Sequence, residues 1–418
     1  MAEHLELLTH DFKSVKQVKT LLEQNNAFIK PMTTENGAKV IKTTLTADSA
    51  LLTDILNRYS GIETRPYAHD AAETENGITG FTMNFFLSHG LPKQHCEELV
   101  NHLPLRYTIY KPLILFNNSN QRSFMLACWE SAFKLVKKHE YFEAMLQQQF
   151  PQCTHVAVNM PIVEEDVMRR PFNIVALHGT LFDGELRATT WSAPSSQDFN
   201  NTLWCHVVQN GIHQVWAPTF TMFSRGNIKE KKRILDNYDD ISGHDVVDLY
   251  AGIGYFTLSY LKRGARRVFC FELNPWSTEG LRRGVLLNRF EGKCHIYQES
   301  NENCEERLRA FQRDHNGGDR LQIRHINLGL LPTSVPGYPI ALRVIREYSS
   351  LPLTTLHIHE NVHVAELQNG AFVELTLQRL LRIDASYNYT PRHVEKIKTF
   401  APDIWHVCLD LDVHKLSS

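Results

Sequence analysis

The sequence of 418 residues contains no C-x-x-C pair, no long apolar run and almost no net charge, and each absence excludes a class of protein. Its eight cysteines are scattered from Cys96 to Cys408, which excludes a zinc ribbon or a dithiol redox motif and predicts buried, reduced thiols. No apolar run approaches the roughly 18 residues of a membrane span. The formal net charge of -2 argues against a protein that coats nucleic acid non-specifically.

The N-terminal residues predict where the protein is located, and the chain length predicts how many domains it has. Residues 1–6 contain acids where a targeting peptide would have bases, which predicts a cytoplasmic protein. A single core rarely grows past about 250 residues, so several are expected. We predict an N-terminal unit of unassigned role (1–104), a smaller α+β domain (105–235) and a C-terminal α/β domain (236–418). We detect no internal repeat.

One stretch, 245–258, organises the C-terminal part. An apolar β-branched run ends on Asp248, passes through Gly252-Ile253-Gly254 and enters an amphipathic segment, 253–261. Gly264 stands where a helix C-cap is expected. The pattern predicts a strand, a tight turn and a helix.

A second acid and a missing glycine indicate which nucleotide this turn binds. The apolar run 268–271 ends on Glu272, at the spacing where a carboxylate reaches a ribose bound over the first turn. Thr257 occupies the third position of G-x-G-x-x-G, where a dinucleotide site needs glycine for close packing beneath a pyrophosphate. This favours an adenosine ligand without pyrophosphate, S-adenosylmethionine (SAM) before NAD.

Hydrophobic periodicity predicts the remaining elements. In the N-terminal unit (1–104) we expect helices at 15–28 and 49–59, a strand at 39–42 and a loop at 61–80. In the α+β domain (105–235) we expect strands at 107–116 and 154–158 and a helix at 132–146. An Asn210-Gly211 hairpin is expected before a basic helix that starts at 228. Alternating strands at 294–298, 321–327, 355–359, 381–387 and 404–411 predict a parallel, doubly wound sheet. The short connection before the last strand favours an antiparallel orientation for it.

The stretch 359–363, His-Glu-Asn-Val-His, matches the H-E-x-x-H zinc pattern, which needs both histidines on one helical face. The residues before it are β-prone and alternate, so His359 is expected in a strand, and no third ligand follows at the required spacing. We therefore predict no metal site.

Several motifs together resemble one known family. They are Trp216-Ala217-Pro218, 222–227 (MFSRGN), 248–258 (DLYAGIGYFTL), 272–275 (ELNP), 327–332 (NLGLLP), 356–361 (LHIHEN) and 401–406 (APDIWH). From about residue 154 onward the chain is similar to the SAM-dependent aminocarboxypropyltransferases of tRNA wybutosine synthesis, siblings of the tRNA guanine N1-methyltransferases. The resemblance implies a class I methyltransferase-like catalytic domain.

The resemblance also implies an activity. SAM would donate its 3-amino-3-carboxypropyl arm to 4-demethylwyosine beside the anticodon of phenylalanine tRNA, and methylthioadenosine would be released. The alternative is methyl transfer to guanine N1 by the sibling class; Gly329, where the methyltransferases tend to carry proline, favours arm transfer. A silent tRNA-binding module and a small-molecule methyltransferase are further alternatives. No membrane contact or stable protein partner is predicted.

The resemblance assigns roles to named residues. Ser224 and Lys231 would hold the cofactor, Gly252 and Gly254 would form its turn, Glu272 would take the ribose hydroxyls, and Ser300-Asn301 would flank the adenine. The family usually has Asp at the position of Ser300, so a hydroxyl would replace a carboxylate there. Lys231 can pair with the methionine carboxylate, because an ammonium binds a carboxylate with charge-assisted hydrogen bonds.

The candidate catalytic residue is Asn327, which ends a strand at the carboxyl edge of the sheet, where open α/β folds bind ligands. Its amide could position the target base, or it could simply be a turn-forming Asn before glycine. Basic residues before and after the motif are candidates for tRNA phosphate contacts, or are solvated helix ends: Lys229, Lys231, Lys232, Arg233, Lys262, Arg263, Arg266, Arg267, Arg282 and Arg283. Tyr255 and Trp276 are candidate aromatic contacts for a base splayed out of its stack.

Overall fold

The computed structural model describes residues 4–25, 27–67, 77–159 and 174–415, and the chain divides into two compact units, 1–101 and 102–418. The predicted division into three domains, 1–104, 105–235 and 236–418, stays a prediction. No helix in the described ranges is both long and apolar enough to cross a membrane.

The structure contains the following described strands and helices. The strands are β1 (His4–Thr9), β2 (Phe28–Glu35), β3 (Ala38–Thr43), β4 (Ile62–Tyr67), β5 (Tyr107–Tyr110), β6 (Leu113–Asn117), β7 (His155–Asn159), β8 (Ile174–His178), β9 (Cys205–Gln209), β10 (Ile212–Trp216), β11 (Asp245–Asp248), β12 (Arg267–Phe271), β13 (Cys294–Tyr297), β14 (Ile323–Leu328), β15 (Leu353–His363), β16 (Tyr387–Ala401) and β17 (Ile404–Lys415). The helices are α1 (Phe12–Gln24), α2 (Ala50–Arg58), α3 (Ile78–Ser88), α4 (Lys93–Asn101), α5 (Ala127–Leu135), α6 (Lys138–Gln149), α7 (Ala188–Ser192), α8 (Ser196–Asn200), α9 (Ile228–Asn237), α10 (Thr257–Arg263), α11 (Pro275–Asn288), α12 (Cys304–His315), α13 (Tyr338–Tyr348), α14 (Val364–Gln368) and α15 (Ala371–Ile383).

The first unit is built on a four-stranded antiparallel sheet with the order β2-β3-β1-β4. Its element sequence, β1-α1-β2-β3-α2-β4, is that of the split β-α-β fold. The predicted helices at 15–28 and 49–59 are confirmed as α1 and α2, although Phe28 begins β2 instead of ending the helix. Leu7, Val18 and Ile55 lie in the core where both helices cover one face of the sheet.

The second unit contains a seven-stranded sheet with the order β13-β12-β11-β14-β15-β17-β16. Strands β11 to β15 are parallel, and β17 lies antiparallel between β15 and β16. The predicted doubly wound sheet and its antiparallel last strand are confirmed. Strands β11 and β14 are buried at every residue because helices cover both faces.

The direction in which the sheet grows reverses at β11, because β12 lies on one side of it and β14 on the other. This reversal determines where a ligand site can form. The connection after β11 crosses one face to reach β12, and later connections run outward from β14. A crevice therefore opens at the carboxyl end of β11, the place where ligands bind in open α/β sheets.

Smaller elements precede this sheet. Strands β5 to β8 form a four-stranded sheet, and β9 and β10 form a hairpin. Asn210 and Gly211 have φ values of +52° and +67°, so the predicted Asn-Gly turn is confirmed. The core around Trp216 includes Tyr110 and Ile253, and it packs the hairpin against the turn after β11.

Several predicted elements are wrong in extent or type. The predicted loop 61–80 contains β4 and the start of α3, with 68–76 outside the described residues. The predicted strand at 107–116 is two strands, and the helix at 132–146 is two helices. The predicted strand 381–387 begins in α15, which continues to Ile383. A short apolar run does not distinguish a strand from the buried face of a helix, and here Leu380 packs into the core from α15.

Candidate functional site

The turn after β11 depends on two glycines. Gly252 and Gly254 have φ values of +55° and +85°, a region that residues with a Cβ rarely adopt. A Cβ at Gly254 would lie 2.5 Å from Cδ1 of Leu281 on α11. The predicted helix start at 253 is four residues too early, because α10 begins at Thr257, while its predicted C-cap, Gly264, is confirmed with a φ of +107°.

Glu272 connects the end of β12 to this turn. Its two carboxylate oxygens accept hydrogen bonds from the backbone N–H groups of Gly252 and Asn274, each at 2.8 Å. Burial raises the pKa of Glu272, and the bonds from Asn274 and Gly252 oppose that increase. Each oxygen accepts one of these bonds and retains a lone pair, so the carboxylate can still accept bonds from a diol.

Asp248 and Asn327 lie beneath the turn, fully buried at the ends of β11 and β14. Nδ2 of Asn327 donates to Oδ1 of Asp248 at 2.9 Å, and Thr257 Oγ1 donates to Oδ2 at 2.7 Å. Burial raises the pKa of Asp248. Because the Asn327 side chain has no accessible surface here, the amide supports the turn through Asp248, and its contact with a target base stays a prediction.

Ser300 and Asn301 reach the same edge of the sheet after β13. Nδ2 of Asn301 donates to the carbonyl oxygen of Leu249 at 3.1 Å. Ser300 caps the short 3₁₀ turn Asn301–Asn303, and its hydroxyl accepts from the Glu302 N–H at 3.3 Å. Asn301 therefore borders the first residue after β11, with Ser300 next to it in sequence, and their contact with adenine stays a prediction.

Ser224, just before α9, and Lys231, in its first turn, approach the turn after β11 from the other side. The backbone N–H of Ser224 donates to the Tyr255 hydroxyl at 3.3 Å, and that hydroxyl donates to the Met222 carbonyl. Nζ of Lys231 lies 5.4 Å from the centre of the Tyr255 ring and 5.0 Å from that of Phe223. All the cofactor residues predicted from the sequence thus meet at one edge of the sheet.

Lys231 carries a buried charge with neutral partners. It is 1% exposed, and Nζ donates to Oε1 of Gln214 at 2.5 Å and of Gln209 at 3.0 Å. Burial, together with repulsion from Lys398, lowers the pKa of Lys231 to about 7. Across the described ranges no carboxylate forms an ion pair with it, so an anionic ligand bound here would favour the protonated form of Lys231.

A buried ionic cluster holds α9 against the sheet. Arg233 donates to both Glu230, three residues earlier, and Asp410 on β17. Asp410 also accepts from the Tyr238 hydroxyl at 2.9 Å and lies 2.7 Å from Nδ1 of His357. Although burial opposes it, the bonds from His357 and Arg233 lower the pKa of Asp410. This cluster fixes the helix that carries Lys231.

The structure alters the interpretation of the basic residues. Arg233 is buried, and both Arg266 and Arg267 form ion pairs with the buried Asp245. The other paired members contact acids near the surface: Lys229 with Glu395, Lys232 with Asp236, Arg263 with Asp239, and Arg282 and Arg283 with Glu279. For Arg233, Arg266 and Arg267 a structural role therefore accounts for the positive charge.

The H-E-x-x-H stretch lies in β15, as its β-prone context predicts. His359 is fully inside the sheet, while His363 ends the strand and caps α14 by accepting from the Ala365 N–H at 3.2 Å. Four residues of extended strand separate the rings by roughly 13 Å, too far for a shared zinc ion. Trp276, proposed for base stacking, is also buried, and it stacks on Phe220 at 3.6 Å.

Three side chains at the site were missed from the sequence. Gln209 and Gln214 flank the Asn-Gly turn, so the hairpin signal could have directed attention to them. Nζ of Lys398, on β16, donates to Oγ of Ser224 at 2.7 Å. No local pattern marks this lysine, which is 174 residues away from the serine in sequence.

Comparison with known proteins gives consistent similarities. Residues 206–314 match the TRM5/TYW2 methyltransferase domain. The chain is 45% identical to tRNA wybutosine-synthesizing protein 2 of Saccharomyces cerevisiae over 98% of both chains. It is 34% identical to the protein of that name from Schizosaccharomyces pombe, over 74% of this chain and 73% of the relative. The fold is similar to that of P. horikoshii TYW2 in complex with MeSAdo, with a TM-score of 0.54 and 22% identity over 81% of this chain and 100% of that one.

Proposed function

The chain belongs to the tRNA wybutosine-synthesizing protein 2 family, and from this premise we propose the substrate and the residues that bind it. The protein is a SAM-dependent transferase that moves the 3-amino-3-carboxypropyl group of SAM during wybutosine synthesis. We propose that the acceptor is 4-demethylwyosine beside the anticodon of phenylalanine tRNA and that methylthioadenosine is the second product. The cytoplasmic location and the lack of a stable protein partner remain predictions.

The buried side chain of Lys231, with its neutral hydrogen-bond partners, is the observation that supports the cofactor assignment most directly. A lysine that bonds to amide oxygens, lies beside aromatic rings and has no carboxylate ion pair within the described ranges is costly to bury in its charged form, and an anion beside it offsets that cost. In our proposal the methionine carboxylate of SAM is this anion, and Ser224 is its second donor. The glycine turn, in which Gly254 packs against Leu281 with no space for a Cβ, would hold the nucleoside.

The remaining cofactor residues follow from their positions around the turn. Glu272 accepts the ribose hydroxyls with the lone pairs that the backbone N–H groups leave free. Ser300 and Asn301 border the adenine, and the Ser300 hydroxyl replaces the carboxylate usual in the family. Asn327 positions the site through Asp248, and we retain it as the candidate that orients the target base.

The chemistry demands positioning more than proton transfer. The sulfonium of SAM activates each of its three carbon neighbours, so the carbon that reacts is decided by which one faces the nucleophile. Lys231 and Ser224 would anchor the amino-acid arm at its carboxylate and hold that arm in line with the base. The regiochemistry then depends on residues that bind the two ends of SAM.

The product of a single reaction tests this proposal. Purified protein is incubated with SAM and phenylalanine tRNA from cells that lack this modification step, and the small-molecule product is identified by mass spectrometry. Methylthioadenosine, with tRNA heavier by one aminocarboxypropyl group, is the expected result. S-adenosylhomocysteine would instead establish methyl transfer, and an unmodified tRNA would refute the proposed acceptor. Another tRNA species from the same cells serves as the control.

A further inference from the structure

Lys398 belongs to the C-terminal hairpin but reaches the segment that precedes α9. The pairing of β16 with β17 shifts register between Lys396 and Lys398, and the intervening Ile397 is buried. A β-bulge of this kind bends a strand and redirects the side chains that follow it. Here Nζ of Lys398 donates to Oγ of Ser224 at 2.7 Å.

Gly226 makes room for this approach. A Cβ at that position would lie 2.4 Å from Cδ of Lys398, so the lysine stem crosses a surface that only a glycine leaves open. The glycine therefore permits a lysine from a distant strand to reach the serine hydroxyl. Ser224 in turn contacts Tyr255 in the turn after β11.

Lys398 and Lys231 are both close to the linked pair Ser224 and Tyr255. Nζ of Lys398 bonds to the Ser224 hydroxyl, and Nζ of Lys231 lies 5.4 Å from the centre of the Tyr255 ring. Burial is the main cause of the lowered pKa of Lys231, and repulsion from Lys398 adds to it. The neighbouring acid on the hairpin, Glu395, is bound to Lys229 and to His393. Two lysines near the Ser224 hydroxyl repel each other when both are charged, and an anion bound beside that hydroxyl would relieve the repulsion.

We propose that Lys398 is a third ligand for the carboxylate of SAM, so that the C-terminal hairpin completes the subsite of Ser224 and Lys231. This inference rests on the proposed function, and it adds a residue that determines specificity for the amino-acid arm. A ligand that keeps the nucleoside, the sulfonium and the amine but lacks the carboxylate gains nothing from Lys398. SAM and decarboxylated SAM differ in this one group.

The test measures the affinity of the full-length protein for SAM and for decarboxylated SAM by isothermal titration calorimetry. We expect Lys398→Met to bind SAM about tenfold more weakly, while its affinity for decarboxylated SAM stays within about twofold of the wild-type value. Lys398→Arg should recover part of the loss because it keeps the charge. Lys396→Ala, on the exposed part of the same strand, is the matched control and should bind both ligands normally.

Three outcomes would overturn the inference. Unchanged affinity for SAM in Lys398→Met would show that the lysine does not contact the carboxylate. An equal loss for both ligands would indicate a purely structural role. A smaller salt dependence of tRNA binding, with SAM affinity intact, would assign Lys398 to a phosphate contact. In all three cases the proposed function still holds if the wild-type protein binds SAM and releases methylthioadenosine. Failure of the inference about Lys398 is therefore distinguishable from failure of the proposed function.

Discussion

Replacing Lys231 with methionine should make the free protein more stable while it weakens binding of SAM. The side chain is 1% exposed, and burial is the main cause of a pKa lowered from 10.5 to about 7. At about 1.4 kcal/mol per pKa unit, keeping the ammonium charged in the folded protein costs on the order of 5 kcal/mol. Methionine has a similar length and no charge, so it removes this cost.

The lowered pKa of Lys231 determines whether the stability of the wild-type protein rises or falls with pH. Above pH 7 the folded protein releases the Lys231 proton, whereas the unfolded chain holds it until about pH 10.5, so the unfolded state binds more protons. Wild-type stability should therefore rise with pH, and the penalty is fully present only below pH 7. Between pH 7 and 9 the gain attributable to this group is about 2 kcal/mol.

Urea unfolding at pH 7 and pH 9, without SAM, measures this gain in the wild type and in Lys231→Met. The increase in the free energy of unfolding that is due to Lys231 should appear only in the wild type. Subtracting the value of Lys231→Met from that of the wild type at each pH cancels the contribution of the other titrating groups. Lys232→Met is the control, because Lys232 lies on the same helix but is exposed and paired with Asp236. A wild-type and variant difference that stays constant from pH 7 to 9 would refute a buried charge at Lys231.

Three further changes test other parts of the site. Glu272→Ala should weaken SAM binding at least tenfold, measured by calorimetry, because it removes the proposed ribose acceptor and leaves two backbone N–H groups without their acceptor; unchanged affinity would eliminate the ribose role. Arg233→Met should lower the free energy of unfolding by about 3–5 kcal/mol, since it removes the guanidinium partner of two buried carboxylates, Asp410 and Glu230; a loss below 1 kcal/mol in urea unfolding would contradict this. Gly254→Ala should destabilise the protein by about 1–3 kcal/mol more than Gly243→Ala, because both have positive φ but only position 254 lacks space for a Cβ; equal thermal shifts would show that the contact is tolerated.

The turn after β11 was predictable because its signals are local. An apolar run that ends on Asp248, two glycines at close spacing and a second strand that ends on Glu272 are all visible within 30 residues. The conclusion that H-E-x-x-H lies in a strand was also local, since the alternation before His359 reveals the extended backbone. The wrong predictions concern the extent and the type of individual elements. Strand β4 lies in a segment of low hydrophobicity that pairing with β1 stabilises. Leu381 follows an apolar run whose period does not distinguish a helix from a strand.

Local sequence patterns were enough to predict the doubly wound sheet, the glycine turn and the acids that end its strands, and the motifs were enough to identify the family. Tertiary structure alone decided which charges are available: Arg233 is neutralised by Asp410, and Lys231 is buried among amide oxygens. It also brought Lys398 to Ser224 across 174 residues. The physical reason is that backbone conformation follows from neighbouring residues, whereas desolvation and charge pairing depend on residues that meet only after the chain has folded.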